Sequence, residues 1–128
     1  MILKIPYSID DFIVKTVMKK DIVAEGEISF STSLRIDCNF KGKIKSENGF
    51  LIISHTSTIT GDISAGTIMI AGKVIGNINA TKKVELFSGS EVIGNIKSPR
   101  FRMEDDVKFE GECDIFYDDE EQKEAQNA

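Results

Sequence analysis

The chain has 128 residues, a net charge of −5, 41% apolar residues and 29% charged residues, which is typical of a single soluble globular domain. It has no long basic run and few aromatic residues, which argues against nucleic-acid binding, because that affinity comes mainly from Lys and Arg on phosphates. No apolar stretch has the length of a membrane span, and residues 1–20 lack the uninterrupted apolar run of a signal peptide.

The N-terminal segment, residues 1–21, contains apolar residues at the spacing of one helix face. Ile9, Phe12, Ile13 and Val17 define that face, and Ser8 precedes it as a candidate cap. The pattern predicts a short amphipathic helix over residues 9–20, which we expect to pack on the structure that follows. Contact with a membrane or a partner is the alternative. The residues available for such a contact are Met1, Ile2, Leu3, Phe12, Ile13 and Val17.

The central part, residues 22–117, repeats one pattern: an apolar residue, any residue, Gly, any residue, and then Ile or a substitute. The glycines that mark the copies are Gly26, Gly42, Gly61, Gly76, Gly94 and Gly111. They are separated by 15 to 19 residues, so the period is about 17. A regular period in a short chain predicts stacked structural units.

Within each copy the apolar residues alternate, which is the signature of a strand with one face buried. A second alternating pair follows, and turn-forming residues separate the two. An antiparallel sandwich would also supply short alternating strands, but it would not explain the 17-residue recurrence. The sequence therefore predicts an all-β parallel β-helix of about six coils, in which equivalent side chains stack in ladders. The predicted structural core includes Ile44, Ile63, Ile78 and Ile96, with Gly61, Gly76 and Gly94 at the bends.

The C-terminal segment, residues 118–128, has five acidic residues and one lysine. It lacks the apolar residues needed to form a core, so we predict a disordered, solvated tail. Docking of this tail on a basic partner is the alternative.

Residues capable of catalysis are sparse. His55 is the only histidine and has no second histidine or nearby acid with which to bind a metal. Cys38 and Cys113 occupy apolar-patterned positions, as expected for small buried residues in a reducing cytosol. Neither glycine-rich nucleotide-binding motif occurs. We therefore predict no cofactor and no enzyme activity; an acyltransferase-like β-solenoid is a rival, but this chain sustains no six-residue register.

Three consecutive copies, Ile59–Ala65, Val74–Ala80 and Val92–Ile96, resemble the bactofilin family of bacterial polymer-forming cytoskeletal proteins. The resemblance covers about residues 22–117. It implies a right-handed β-helix of triangular section that assembles end to end, without nucleotide, into non-polar filaments. It also implies a cytoplasmic location, often beneath the inner membrane, and a scaffold role for cell-shape and cell-wall machinery, including peptidoglycan enzymes.

On this interpretation the chain is a self-assembling homopolymer whose partners are cell-wall enzymes or inner-membrane proteins. The expected polymer interface comprises Ile22, Val23 and Ile28 at the first end and Phe101, Phe109 and Phe116 at the last. The alternative is a capped monomeric β-helix adaptor that binds a cell-wall enzyme or a membrane protein. It is raised by the predicted N-terminal helix, which departs from the family pattern of disordered termini.

Overall fold

A computed structural model describes residues 2–4, 16–18 and 23–116 of the chain. This part of the chain forms fourteen β-strands and contains no helix. No helix long and apolar enough to cross a membrane therefore occurs in the described ranges. In chain order the strands are β1 (Ile2–Lys4), β2 (Thr16–Met18), β3 (Val23–Ser29), β4 (Ser33–Ile36), β5 (Asn39–Lys45), β6 (Phe50–Ile53), β7 (Thr58–Ile70), β8 (Lys73–Ile75), β9 (Ile78–Leu86), β10 (Glu91–Ile93), β11 (Ile96–Ser98), β12 (Phe101–Met103), β13 (Lys108–Glu110) and β14 (Cys113–Ile115).

The strands stack in parallel into a β-solenoid of about five turns with about 17 residues per turn. Each turn contributes to three strand stacks, which we call faces A, B and C. Face A holds the segments before the repeat glycine and face B those after it, so long strands such as β5 cross from one to the other. Face C holds β2, β4, β6, the end of β7, the end of β9, and β12.

At the corner between faces A and B, glycines of successive coils stack in register. Gly26 lies against Gly42, and Gly42 against Gly61, with backbone φ angles of 130°, 139° and 137°. These angles fall in a region that side-chain-bearing residues rarely adopt, which explains why the repeat requires Gly at this bend.

The core consists of the inward residues of all three faces. The ladder on face B joins Ile28, Ile44, Ile63, Ile78 and Ile96, each no more than 1% exposed. Because neighbouring strands in a sheet lie about 4.8 Å apart, these side chains contact one another continuously along the stack. Burial of each contributes roughly 1.5–3 kcal/mol.

The structure differs from the sequence prediction at the N-terminus. Thr16–Met18, which fell within the helix predicted over residues 9–20, is strand β2, paired with β4. The rest of that predicted helix lies outside the described residues. Strand β1 likewise pairs with β3, so stacked strands begin before residue 22. An exposed strand edge at the first copy offers β1 and β2 unpaired backbone groups, and long-range pairing of this kind leaves no trace in a local helical pattern.

Candidate assembly surfaces

In the described part of the chain, the C-terminal end of the solenoid is an open coil. Strands β12, β13 and β14 each pair on one side, with β9, β10 and β11, and have no second neighbour among the described residues. Met103 and Ile115, which stack on inward positions of the preceding coil, are 50% and 52% exposed. An apolar edge of this kind is a template for further strand pairing.

Two predicted interface residues meet at this end. The rings of Phe101 and Phe109 pack edge to face with centroids 6.2 Å apart, and both side chains are half-buried. Phe109 continues the face A ladder of Val74 and Val92, which are both fully buried. Phe101 continues the face C ladder after Val84. The structure therefore brings these two aromatic residues together at the open end of the core.

Phe116, the third residue predicted at the last end, is the last described residue and follows strand β14 of face B. Its backbone N–H donates to the carbonyl of Ser98 at 3.1 Å, and the Lys97 ammonium lies 5.7 Å from its ring centroid. This distance is within the range of a cation–π contact. Phe116 thus lies at the side of the open coil, apart from the Phe101–Phe109 pair.

The residues predicted at the first end are placed differently. Ile28 is 1% exposed and lies opposite Leu3 of β1, so it is inside the stack and not at its open end. Val23 begins β3 opposite Asn39, and Ile22 lies outside the described residues. The first-end prediction missed β1 because nothing in the local pattern of residues 2–4 indicates a partner.

The predicted membrane-contact or partner-contact residues divide in the same way. The backbones of Ile2 and Leu3 belong to β1, and that of Val17 belongs to β2, so these three residues are part of the solenoid. Met1, Phe12 and Ile13 lie outside the described residues. The structure therefore does not bring the six residues together on one helix face.

The predicted core residues lie inside the solenoid. Ile44, Ile63, Ile78 and Ile96 form the face B ladder described above. The glycines Gly61, Gly76 and Gly94 follow one another at the corner, each against the backbone of the glycine one coil earlier.

The three faces differ in strand number, and the two ends of face A carry similar charges. Face B has seven strands, from β1 to β14, whereas faces A and C have six each. On face A the exposed outward residue is Glu25 at the first end and Glu110 at the last. These features determine which ends can meet.

The residues that could take part in chemistry or bind a metal are scattered. His55 is exposed at a corner, and Cys38 is buried, where desolvation raises the pKa of its thiol. Cys113 is exposed on the last coil, and partial desolvation followed by the Asp114 carboxylate raises the pKa of its thiol. Within the described ranges no three His, Cys, Asp or Glu side chains group together as metal ligands.

An apolar patch on the outer surface of face C was not predicted from the sequence. Phe50, Ile52 and Met69 occupy outward positions there, alternating with buried residues such as Leu51 and Ile53. Alternation in the sequence indicates which residues point inward, but it does not indicate that apolar residues of the opposite parity gather on one outer surface.

Comparison with known proteins gives consistent results. The family model for Bactofilin, described as polymer-forming cytoskeletal, matches residues 16–114. The chain is similar to Bactofilin BacO of Myxococcus xanthus (strain DK1622), with 39% identity over 100 residues, covering 78% of this chain and 79% of that protein. It is also similar to Bactofilin BacP of the same organism, with 27% identity over 100 residues, covering 78% of this chain and 41% of BacP. No solved structure matches it.

Proposed function

This chain belongs to the bactofilin family of polymer-forming cytoskeletal proteins, and on that premise we propose that it is a structural scaffold that self-assembles end to end into nucleotide-independent filaments. The observation that carries the proposal is the open C-terminal coil. Its three strands each present one edge with no neighbour in the described part of the chain, at the point where the apolar core reaches solvent.

Stacking a second coil on this end would complete the burial of its apolar side chains. Met103 and Ile115 are about half exposed, and the Phe101–Phe109 pair is partly so. Full burial of a large apolar side chain contributes roughly 1.5–3 kcal/mol, and a junction between two such ends would contain each residue twice. This driving force requires neither nucleotide nor metal.

The charges of β13 favour a junction between two C-terminal ends. If two copies meet around a two-fold axis at Phe109, the two β13 strands run antiparallel, and Lys108 of each lies opposite Glu110 of the other. Opposite charges paired across strands contribute roughly 0.2–1 kcal/mol each. The tripeptide Lys108–Phe109–Glu110 is thus complementary to a second copy of itself.

A junction between a C-terminal and an N-terminal end is less favourable for two reasons. On face A it would leave Glu110 and Glu25 facing each other across the junction, and like charges repel. Because face B has one strand more than the other two faces, β14 and β1 would meet there first. Faces A and C would then each keep a gap of one strand, about 4.8 Å. Filaments built from like ends would be non-polar.

The proposal is tested by Phe109→Arg, with Ile75→Arg as the matched control. Ile75 is an exposed apolar residue on the outer surface of face A, away from both ends. Negative-stain microscopy and sedimentation should show filaments for the wild type and for Ile75→Arg, and folded short species for Phe109→Arg. Filaments of unchanged length in Phe109→Arg would refute the C-terminal junction.

A capped adaptor that binds a cell-wall enzyme or a membrane protein is the second candidate, and the N-terminal strands favour it. Strands β1 and β2 extend two faces beyond the first repeat and cover Ile28 and Leu34. If these strands close the N-terminal end, each chain has one open end and can join only one other copy. Such a chain would form dimers instead of filaments. Analytical ultracentrifugation separates the two functions, because the scaffold yields a broad distribution of large species and the adaptor a single dimeric species.

As a scaffold the filament would localise cell-shape or cell-wall machinery, with cell-wall enzymes or inner-membrane proteins as partners. Membership in a cytoskeletal family supports a place in the cytoplasm, and we extend the proposal to the inner face of the cytoplasmic membrane. Contact with the membrane would use the N-terminal segment. Co-sedimentation of the full chain with anionic vesicles tests that contact, and complete recovery in the supernatant would exclude it.

A further inference from the structure

The described chain ends beside a group of positive charges at the corner between faces B and C. Phe116, the last described residue, has the Lys97 ammonium 5.7 Å from its ring centroid, and its backbone N–H donates to the carbonyl of Ser98. We define the basic corner as the cations that the last two described coils carry on either side of this corner, all of them at least partly exposed: Lys82, Lys83, Lys97, Arg100 and Arg102. We propose that the acidic segment, residues 118–128, binds the basic corner of the same chain.

Charge complementarity identifies the acidic segment as the occupant. The segment carries five carboxylates and one lysine. Three carboxylates of the solenoid border the basic corner: Asp114 lies opposite Lys97 in register, and Glu85 and Glu104 each lie within 4.0 Å of Arg102. The five cations of the corner outnumber these three carboxylates, so the corner attracts a further anionic chain.

The other two corners of the last coil repel an acidic chain. The turn between faces C and A and the residues that flank Gly111 between faces A and B carry an excess of acids over Lys108: Glu104, Asp105, Asp106, Glu110 and Glu112. Like charges repel, so an acidic segment leaving Phe116 is not drawn across the end of the solenoid. Within the described part of the last coil, the chain therefore departs at the corner whose charge is opposite to its own.

The register at Phe116 argues against continuation of the acidic segment as a further strand of face C. Ile115 pairs with Ser98, and Phe101 follows Ser98 by three residues, so the same register would set residue 118 on Phe101 and residue 120 on Met103. Both positions continue inward ladders, whereas residues 118 and 120 are Asp and Glu. Burial of unpaired carboxylates is costly, which favours an outward turn at this point. The outer surface next to that turn is the basic corner, and the open edge of β12 stays free.

The basic corner is within reach of the acidic segment. Glu124 is eight residues beyond Phe116, and an extended chain spans about 3.3 Å per residue, or up to about 26 Å in all. Lys83 lies only one coil before Arg100, about 4.8 Å away along the stack. Single exposed ion pairs are weak, but the tether keeps the segment at an effective concentration on the order of millimolar. The binding is therefore reversible and sensitive to salt, and an acidic segment of another protein reaches the corner only by displacing this one.

Carbodiimide cross-linking of the full chain tests the proposal, because it joins carboxylates to lysines that are in contact. A mixture of unlabelled and heavy-isotope-labelled chains, digested and analysed by mass spectrometry, separates links within one chain from links between chains. We expect residues 118–124 to link to Lys82, Lys83 and Lys97 within one chain, and high salt to reduce the yield. The exposed Lys41 and Lys43, which lie in an early coil, are the controls. Equal links to the control lysines, or links mainly between chains, would overturn the proposal.

A binding experiment tests whether the acidic segment occupies the corner. The probe is a fluorescent oligoglutamate peptide, and the variant is a full-length chain whose segment is neutralised by Asp118→Asn, Asp119→Asn, Glu120→Gln and Glu121→Gln. We expect the neutralised chain to bind the probe several-fold more tightly than the wild type at low salt. Adding Lys82→Gln and Lys97→Gln should remove most of that gain, whereas Lys41→Gln and Lys43→Gln should preserve it. Equal affinity of the neutralised and wild-type chains would show that the segment does not cover the corner.

Discussion

Gly61 lies directly against Gly42 at the corner between faces A and B. A β-carbon on Gly61 would overlap the carbonyl oxygen of Gly42, and the same relation links Gly76 to Gly61 one coil later. Two causes therefore restrict this corner to glycine. The backbone of the preceding coil leaves no room for a β-carbon, and the φ angle is one that other residues rarely adopt. Stacking of successive backbones thus determines the residue that marks the repeat.

Gly61→Ala should be strongly destabilising, because both the steric overlap and the backbone angle oppose it. We expect a loss of about 3 kcal/mol or more in the free energy of unfolding, measured by urea denaturation. Gly89→Ala is the control, since Gly89 has a φ of 88° but open space around its β-carbon position. Its loss should stay near 1 kcal/mol. Equal losses in the two variants would show that stacking does not restrict the corner.

Ile78→Ala should show the importance of the face B ladder. Ile78 is fully buried between Ile63 and Ile96, so its truncation leaves a cavity within the stack. A loss of about 2–5 kcal/mol is expected by urea denaturation. The neighbouring exposed residue provides the comparison, and Asn79→Ala should change stability by no more than about 0.5 kcal/mol.

Glu110→Lys should distinguish the two possible junctions. Where two C-terminal ends meet, it places Lys opposite Lys108 of the second copy, twice per junction, and the critical concentration for assembly should rise by up to roughly ten-fold. Where a C-terminal end meets an N-terminal end, the change replaces repulsion from Glu25 by attraction, and the critical concentration should fall. Sedimentation at low and at high salt measures both, and the effect should shrink at high salt.

Cys113 should report assembly through its reactivity. Partial desolvation, and then Asp114, raise the pKa of its thiol, so the reactive thiolate is a smaller fraction at pH 8 than in a free cysteine. Alkylation of Cys113 should therefore accelerate with increasing pH. Asp114→Asn should increase its rate at pH 8, because it removes the carboxylate that raises the pKa of the thiol. Cys38 is buried and should react only after unfolding. In filaments Cys113 should be protected, whereas unchanged labelling on assembly would place it outside the junction.

The ladders could be predicted from the sequence because they depend on local alternation and a constant period. Ile44, Ile63 and Ile78 occur at the same place in successive copies, and parallel stacking is the arrangement that aligns them. The same period places Phe101 and Phe109 in the last copies of the repeat, and so at the end of the solenoid. The strand formed by Thr16–Met18 could not be predicted, because its apolar residues fit a helical spacing and its partner, β4, supplies the pairing from a distance.

The sequence by itself determined the parallel β-solenoid, its 17-residue turn and its inward residues, since a period-two pattern repeated in phase restricts which side chains can be buried. Only the tertiary structure decided the number of strands on each face and the pairing of β1 with β3. It also decided that Arg35, Ile52, Met69 and Glu85 lie in one row across face C. Such relations depend on strand register between residues far apart in the chain, and register is set by the stack as a whole.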